Sequence, residues 1–376
     1  MSVSMFFYGT LCHAPLLEIV LGRNVDLVPA TLSGWAAHWA KGRPHPMLVP
    51  SPSGRVSGFV VTKLSPTDQD RLDYYEGGFD FLTREVAVET PSGPQKALAF
   101  FTSPGVFEPA APWDIGVWAA RYGDAVTATA RDVMRLMGKV PAEDVLARYP
   151  MMLVRGDSRV RAARDPSPAT LRRYAKPDDV ALKSFHQPYA HFFAVEEYDL
   201  RFRQFDGEQS AQINRAVFIS GDAVTVLPYD PLRDRVLLVE QFRAGPYARG
   251  DNNPWSLEAI AGRIDPGETA EDCARREAIE EAGLALGQLL PVAQFYPSPG
   301  AKSEYLYNFV ALCDLPDGVE GVFGVAEEAE DIKGHLVSFH KLMSLVETGE
   351  ISNGQLILTV LWLQRERPRL RSGQPR

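Results

Sequence analysis

The stretch that most restricts this chain is Gly262-Arg-Ile-Asp-Pro-Gly-Glu268, continued by Thr269 to Arg275 and closed by Arg276-Glu-Ala-Ile-Glu-Glu-Ala-Gly-Leu284. Pro266-Gly267 makes a turn, Thr269 is placed to cap a helix with Asp272 three residues on, and Gly283 is placed to end it in the left-handed conformation. The predicted helix is therefore only about four turns long. Within it Glu277, Glu280 and Glu281 stand at i, i+3 and i+4, so three carboxylates share one face, with Arg276 as the nearest cation. Each like-charged pair disfavours an isolated helix by roughly 0.2–0.5 kcal/mol. A solvated acidic helix is the plain alternative, but the spacing suits a hard divalent ion such as Mg2+, which prefers oxygen ligands.

Composition narrows the class of protein. At 376 residues the chain can hold two domains with substantial cores, and 45% hydrophobic with 23% charged residues is ordinary for a globular protein. A net charge of −9 disfavours general affinity for nucleic acid. Cys12, Cys273 and Cys313 are widely spaced and odd in number, so neither a disulfide framework nor a zinc site is expected, and a reduced cytoplasm fits. No basic residue precedes Arg23, and no apolar run reaches the ~18 residues of a membrane span, so neither a secretory leader nor a membrane partner is expected.

The Gly262–Gly283 run resembles the Nudix hydrolase signature, Gly, five residues, Glu, seven residues, Arg-Glu-x-x-Glu-Glu-x-Gly, with Ala278 where a larger aliphatic is usual. Residues from about 191 to 368 further resemble the ADP-ribose pyrophosphatases. The matching stretches are Gly221-Asp-Ala-Val-Thr-Val-Leu-Pro-Tyr-Asp230, Glu240-Gln-x-Arg243, Leu257-Glu-x-Ile-Ala-Gly262, Ser298-Pro299-Gly300 and Glu327-Glu-Ala-Glu-Asp331, with Pro299 sixteen residues beyond Gly283. The resemblance implies a Nudix α/β/α sandwich around a mixed sheet. It implies metals held by Glu277, Glu281 and the carbonyl of Ala261, with Glu330 a further ligand and Glu268 and Glu280 supporting. It puts Arg243 on a phosphate, where a guanidinium binds in bidentate fashion, and Pro299 and Glu304 in substrate binding. The base falls in the 325–330 loop at Glu328, with Glu330 the alternative because Ala329 replaces a polar residue common between them. From the residues alone, Arg243 could equally pair with a carboxylate, and Glu328 could be one of several solvating charges beside Glu320, Glu327 and Glu330.

The implied reaction is hydrolysis of ADP-ribose to AMP and ribose 5-phosphate with Mg2+, Mn2+ being the second candidate. A diphosphate repels hydroxide unless cations neutralise its oxygens, and one carboxylate must take the proton of the attacking water. Nucleotide sugars or dinucleotide coenzymes remain open as substrates, as does a non-catalytic ADP-ribose sensor. Similar enzymes build the pocket partly from a swapped partner subunit. The strand-rich lead-in from Tyr198 to Leu227 could be exchanged in that way, so a homodimer is expected.

Towards the amino terminus, Ser4 to Tyr8 reads as a buried strand running into Gly9-Thr10-Leu11 and an apolar helix around Ala14 to Leu21, stopped by Gly22. Val56 to Leu64 has strand character, Ser65 to Leu72 reads as a capped helix, and Thr83–Glu89 with Lys96–Thr102 reads as a hairpin around Pro91-Ser-Gly-Pro94. Tyr8-Gly9-Thr10-Leu11 together with Leu72-Asp-x-x-Glu76-Gly77 resembles the γ-glutamylcyclotransferase-like (AIG2-like) family over residues 1–145. That resemblance implies a mixed β-barrel with helices. It also implies a Tyr8–Leu11 loop whose backbone N–H groups meet a γ-glutamyl small molecule, and Glu76 as general acid/base. The substrate's own amine attacks its side-chain carbonyl, so a proton must be moved and an oxyanion held. The residues alone leave open that Glu76 only caps or pairs locally.

The expected whole is a two-domain α/β and α+β protein. Trp113 to Gly138 has helical character, with Trp118, Tyr122, Val126 and Ala130 at four-residue spacing. Residues 155–183 hold Pro166, Pro168 and Pro177 and eight basic against four acidic residues without long apolar periodicity. They read as a flexible connection, giving domains 1–145 and 191–376 with a linker over 146–190 and independent halves. In the second half, Ala223–Leu227 against Val236–Phe242 reads as a hairpin across Asp230–Asp234.

Overall fold

Alternation along one short strand sets up the first unit. In β1 (Val3–Phe7), Phe6 enters one core with Leu32, Val60 and Phe101, while Met5 and Phe7 enter another with Leu16, Leu17 and Trp118. β1 is followed by α1 (Ala14–Leu21), β2 (Val28–Ala40), β3 (Pro46–Leu64), α2 (Pro66–Glu76), β4 (Phe81–Thr90), β5 (Gly93–Thr102) and β6 (Pro109–Pro112). β1 lies antiparallel to β3 and parallel to β5, β5 runs on through β4 to β2, and β2 pairs with β3. The order β3-β1-β5-β4-β2 thus closes on itself as a mixed barrel, which removes open sheet edges. The computed structural model describes residues 3–77, 81–103, 105–165, 168–325 and 330–373.

A reciprocal cap fixes the start of α2: Asp68 N–H donates to Ser65 Oγ at 3.2 Å, Ser65 N–H returns to Asp68 at 2.8 Å, and Arg23 binds the same carboxylate at 2.7 Å. The last residue of that helix is Glu76. The helix expected over 113–138 is interrupted: α3 (Ile115–Trp118) passes through a π-turn at Ala119–Gly123 into α4 (Asp124–Leu136). The linker expected over 146–190 must be corrected. After α5 (Ala142–Ala147), α6 (Tyr149–Arg164) is a packed helix that buries Met152, Leu153 and Val154. It crosses α4 so closely at Gly156 that a Cβ there would lie 2.2 Å from Thr129 Oγ1. Contacts divide the chain into Met1–Tyr174 and Ala175–Arg376, so the second unit begins before residue 191.

The second unit opens with β7 (Val180–Ala190), β8 (Ala194–Phe202) and β9 (Ile213–Ile219), an antiparallel three-stranded sheet that takes in the rest of the expected linker. Then come β10 (Ala223–Asp230), β11 (Arg235–Phe242), α7 (Ala244–Arg249), β12 (Trp255–Glu258), β13 (Ile260–Arg263), α8 (Ala270–Ala282), β14 (Leu289–Phe295), β15 (Leu306–Leu312), β16 (Val322–Phe323), β17 (Ile332–Ser338), α9 (Phe339–Glu347) and α10 (Gly354–Ser372). The strand order is β14-β15-β10-β11-β17-β16, with β12 on β11 and β13 on β10. Val224, Val226, Leu237 and Val239 face α8, whereas Leu227, Tyr229, Val236 and Leu238 face α9 and α10. This is an α/β/α sandwich. The expected hairpin holds only at its turn end, Tyr229↔Val236 and Asp230↔Arg235. Beyond it β10 and β11 part, because β12 and β13 occupy the gap between them. Among the described residues no helix is long and apolar enough to cross a membrane.

Candidate functional site

The wedge of β12 and β13 delivers backbone to the acidic helix. α8 is capped by Thr269, whose Oγ1 accepts the Asp272 N–H at 3.1 Å, and it ends at Gly283 with φ 60°. Cys273, Ala274, Ala278 and Ala282 bury one stripe of α8 against the sheet, which leaves Glu277 and Glu281 at the edge where β13 passes. Glu281 is 2% exposed and accepts the Ala261 N–H at 3.1 Å. In a strand the N–H and C=O of one residue point the same way, so the Ala261 carbonyl opens towards the same carboxylate. Glu277 lies so near the backbone of Gly262 that a Cβ there would stand 1.8 Å from its Oε1.

Burial pushes Glu281 up to about 8 and Glu277 up to about 7, with Glu330 adding to both. One cation serves this group from behind: Arg276 reaches Glu268 at 3.0 Å, Glu277 at 2.7 Å, Glu280 at 2.9 Å and the Arg263 carbonyl at 3.1 Å. A single guanidinium among these acids leaves net negative charge. The expected shared face is therefore divided, with Glu281 turned to Ala261, Glu277 set against Gly262, and Glu280 holding Arg276. Cys273 offers no soft ligand, since its thiol donates to the Arg263 carbonyl and burial raises its pKa. Among the described residues no three Asp, Glu, His or Cys side chains form a ready cage. Mg2+ needs none, because it keeps waters and takes one or two carboxylates plus substrate phosphate oxygens. The all-oxygen set of Glu277, Glu281 and the Ala261 carbonyl fits such an ion.

Arg243 stands where β11 ends and is held by Glu258, with Nε to Oε1 at 3.1 Å and Nη2 to Oε2 at 2.8 Å. It lies within electrostatic reach of Glu281 and Glu330. Among the described residues its Nη1 has no partner, so the carboxylate pair leaves one edge of the guanidinium available. Glu330 Oε2 accepts the Val325 N–H at 3.2 Å, next to Gly324, whose φ of 118° requires glycine. Glu328 lies outside the described residues. Pro299 is exposed in a turn, and Glu304 binds Ser220 Oγ at 3.1 Å and Lys302 at 2.8 Å. Among the described residues no hydrogen bond or ion pair joins these two to the carboxylates of α8.

In the first unit, Tyr8, Gly9, Thr10, Leu11 and Glu76 line one cavity of about 540 Å3. Gly9 is needed there, since a Cβ would stand 2.7 Å from Pro46 Cγ. Glu76 is 7% exposed and has neither hydrogen bond nor ion pair among the described residues. Burial pushes its carboxyl up to about 8. Three tyrosines surround it, Tyr8 donating instead to the Phe100 carbonyl at 2.9 Å and Tyr75 bonding to Tyr149. A carboxyl without a partner, facing a cavity and raised towards neutral pH, is a candidate for giving and taking a proton.

Each of the two units matches a known family. A family model described as the NUDIX domain matches residues 220–359, and one described as gamma-glutamyl cyclotransferase, AIG2-like, matches residues 5–119. An ADP-ribose pyrophosphatase of Escherichia coli (strain K12) is 41% identical over 187 residues, 50% of this chain and 88% of that protein. The chain belongs to the Nudix family. An ADP-ribose pyrophosphatase of Haemophilus influenzae is 36% identical over 188 residues, 50% of this chain and 86% of that protein. A GDP-mannose pyrophosphatase of Enterobacter sp. (strain 638) is 33% identical over 150 residues, 40% of this chain and 77% of that protein. The carboxy-terminal half is thus a Nudix hydrolase domain, preceded by an AIG2-like domain.

Within the Nudix domain the structure gathers Ala261, Glu277, Glu281, Glu330 and Arg243, and leaves Pro299 and Glu304 without a bond to them. Sequence reasoning passed over Glu258 as the partner of Arg243, although Glu258 lies inside the Leu257–Gly262 stretch. In the AIG2-like domain it passed over Tyr75 and Tyr149. Tyr149 had no local signal, because the interval around it reads as a connection.

Proposed function

We propose that the Nudix domain hydrolyses the diphosphate of ADP-ribose to AMP and ribose 5-phosphate with Mg2+, Mn2+ being a substitute. The observation that carries this is the meeting of Glu277, Glu281 and the Ala261 carbonyl within reach of the half-free guanidinium of Arg243. Divalent ions, when bound, neutralise the diphosphate oxygens and lower the pKa of a bound water. Glu277 and Glu281 supply the oxygens that hold them, and Arg276 orients these carboxylates together with Glu268 and Glu280. Arg243, steadied by Glu258, turns Nη1 towards a phosphate oxygen. Glu328 takes the proton of the attacking water, or Glu330 does. The relatives named ADP-ribose pyrophosphatase favour this substrate over a nucleotide sugar. Three free cysteines suit a reducing cytoplasm, and the domain works as a homodimer. The test is product formation from ADP-ribose, GDP-mannose and NADH with Mg2+ in turn. ADP-ribose should have the highest kcat/KM; a faster GDP-mannose reaction would overturn the substrate, and ADP-ribose binding without turnover would leave a sensor.

The AIG2-like domain has a second activity, γ-glutamyl cyclotransfer. The observation favouring it is Glu76, buried without a partner in the cavity that the Tyr8–Leu11 loop borders. In its ionised form Glu76 takes the proton of the substrate's α-amine as that nitrogen attacks the γ-carbonyl, and backbone N–H groups of the loop meet the oxyanion. Release of a free amine from a γ-glutamyl amide, lost in Glu76→Gln, is the expected result; equal release by both proteins would sink the assignment.

A further inference from the structure

The cavity around Glu76 has a lining of two kinds. The Tyr8–Leu11 loop and Glu76 supply backbone and carboxyl; Phe81, Phe107, Trp118, Leu146, Tyr149 and Leu153 supply mostly apolar surface. The last three belong to α5 and α6, beyond residue 119 where the family match ends. The α6 part of this wall is held firmly. Helix α6 crosses α4 at Gly156, it buries Met152, Leu153 and Val154, and Tyr149 bonds to Tyr75, the residue before Glu76. The described lining carries only two charged groups, Glu76 and Arg43, and Arg43 is exposed. His45 is kept neutral, burial holding its imidazole below the ordinary value. A charged group pressed against the α5–α6 wall would lose its hydration and meet no opposite charge there, the Tyr149 hydroxyl being engaged with Tyr75. An apolar one would gain by leaving water.

We propose that the α5–α6 wall selects the amine portion of the substrate, so that this domain acts on γ-glutamyl amides of bulky apolar amines, aromatic ones foremost. The proposal rests on the cyclotransferase reading. The cavity, about 540 Å3, lies within the roughly 300–1,000 Å3 of small-molecule sites. In the step, the α-amine nitrogen bonds to the γ-carbonyl carbon to close a five-membered lactam. The bond from that carbon to the leaving amine breaks, and the proton passes through Glu76 to the departing nitrogen. Nothing is oxidised or reduced.

The test compares γ-glutamylbenzylamide with γ-glutamylmethylamide, both of which release an alkyl amine, on the full chain. The benzylamide should be favoured at least about tenfold in kcat/KM, the scale set by apolar pockets. A ratio near one, or the reverse preference, would overturn the selection while leaving the cyclotransferase reading intact. Amine release from neither compound would overturn both. Leu146→Trp, at a half-buried position, fills the wall and should cut the ratio several-fold. An unchanged ratio in a variant whose circular dichroism matches wild type would refute the role of α5. Tyr149→Phe keeps the ring and should keep the preference; its loss would show that the hydroxyl, not the apolar wall, selects.

Discussion

Replacing Glu76 by Gln should change how the stability of the barrel domain depends on pH. Burial raises the Glu76 carboxyl from 4.5 to about 8, so the folded domain keeps the proton over a range in which the unfolded chain has lost it. Below 4.5 both states are protonated and Glu76 carries no penalty. Between 4.5 and 8 stability falls as pH rises, by up to about 1.4 kcal/mol per pH unit, and above 8 the loss is complete and constant. At pH 7 the difference is two and a half units, or about 3 kcal/mol as an upper figure. Gln has the same shape and no charge, so it escapes this loss. The variant should gain on wild type steadily from pH 4.5 to pH 8, the gain at pH 7 being roughly 6–12 °C in Tm for a domain of this size. Any fixed effect of the amide shifts the whole curve without tilting it. Thermal and urea unfolding of both full chains across that range would measure the tilt. Parallel curves would refute the reasoning, for they would mean that Glu76 ionises when folded as it does when unfolded.

Glu281→Gln should lower ADP-ribose turnover by several orders of magnitude with the fold intact, since a carboxylate placed to hold metal is lost; more than about a tenth of the activity at saturating Mg2+ would refute its role. Gly262→Ala forces a Cβ to within 1.8 Å of Glu277 Oε1, so Glu277 must move, and a displacement of that order should reduce kcat/KM by roughly 100-fold; full activity would show that the contact is not required. Sedimentation of the full chain should find a homodimer, whereas a monomer at all concentrations would count against the proposed assembly.

The elements read correctly from the sequence are those whose determinants are local. Thr269 with Asp272, and Ser65 with Asp68, cap helices within four residues, and Gly283 ends α8 through its own φ, so each could be placed without knowing its neighbours. α6 could not. Its apolar residues Met152, Leu153 and Val154 are consecutive rather than spaced along one face, and charged residues crowd the remainder of the helix. Its packing depends on Gly156 meeting Thr129 across α4, a contact between positions 27 apart in the chain. The reading of 146–190 as a connection failed for that reason.

The spacing of Glu277, Glu280 and Glu281 on about four turns of helix is enough to state that an acidic face exists and that a hard cation would suit it, because helical period and charge are properties of the chain alone. Which carboxylate turns inward is not such a property. It follows from β12 and β13 entering between β10 and β11, which brings the Ala261 amide to Glu281 and the bare backbone of Gly262 to Glu277. The partner of Arg243 is likewise set by strand register, Val239↔Glu258 and Phe242↔Trp255, and register depends on pairing with a distant segment. Glu76 follows the same rule: its carboxylate is written in the chain, but its raised pKa comes from being buried by a barrel and helices that close around it.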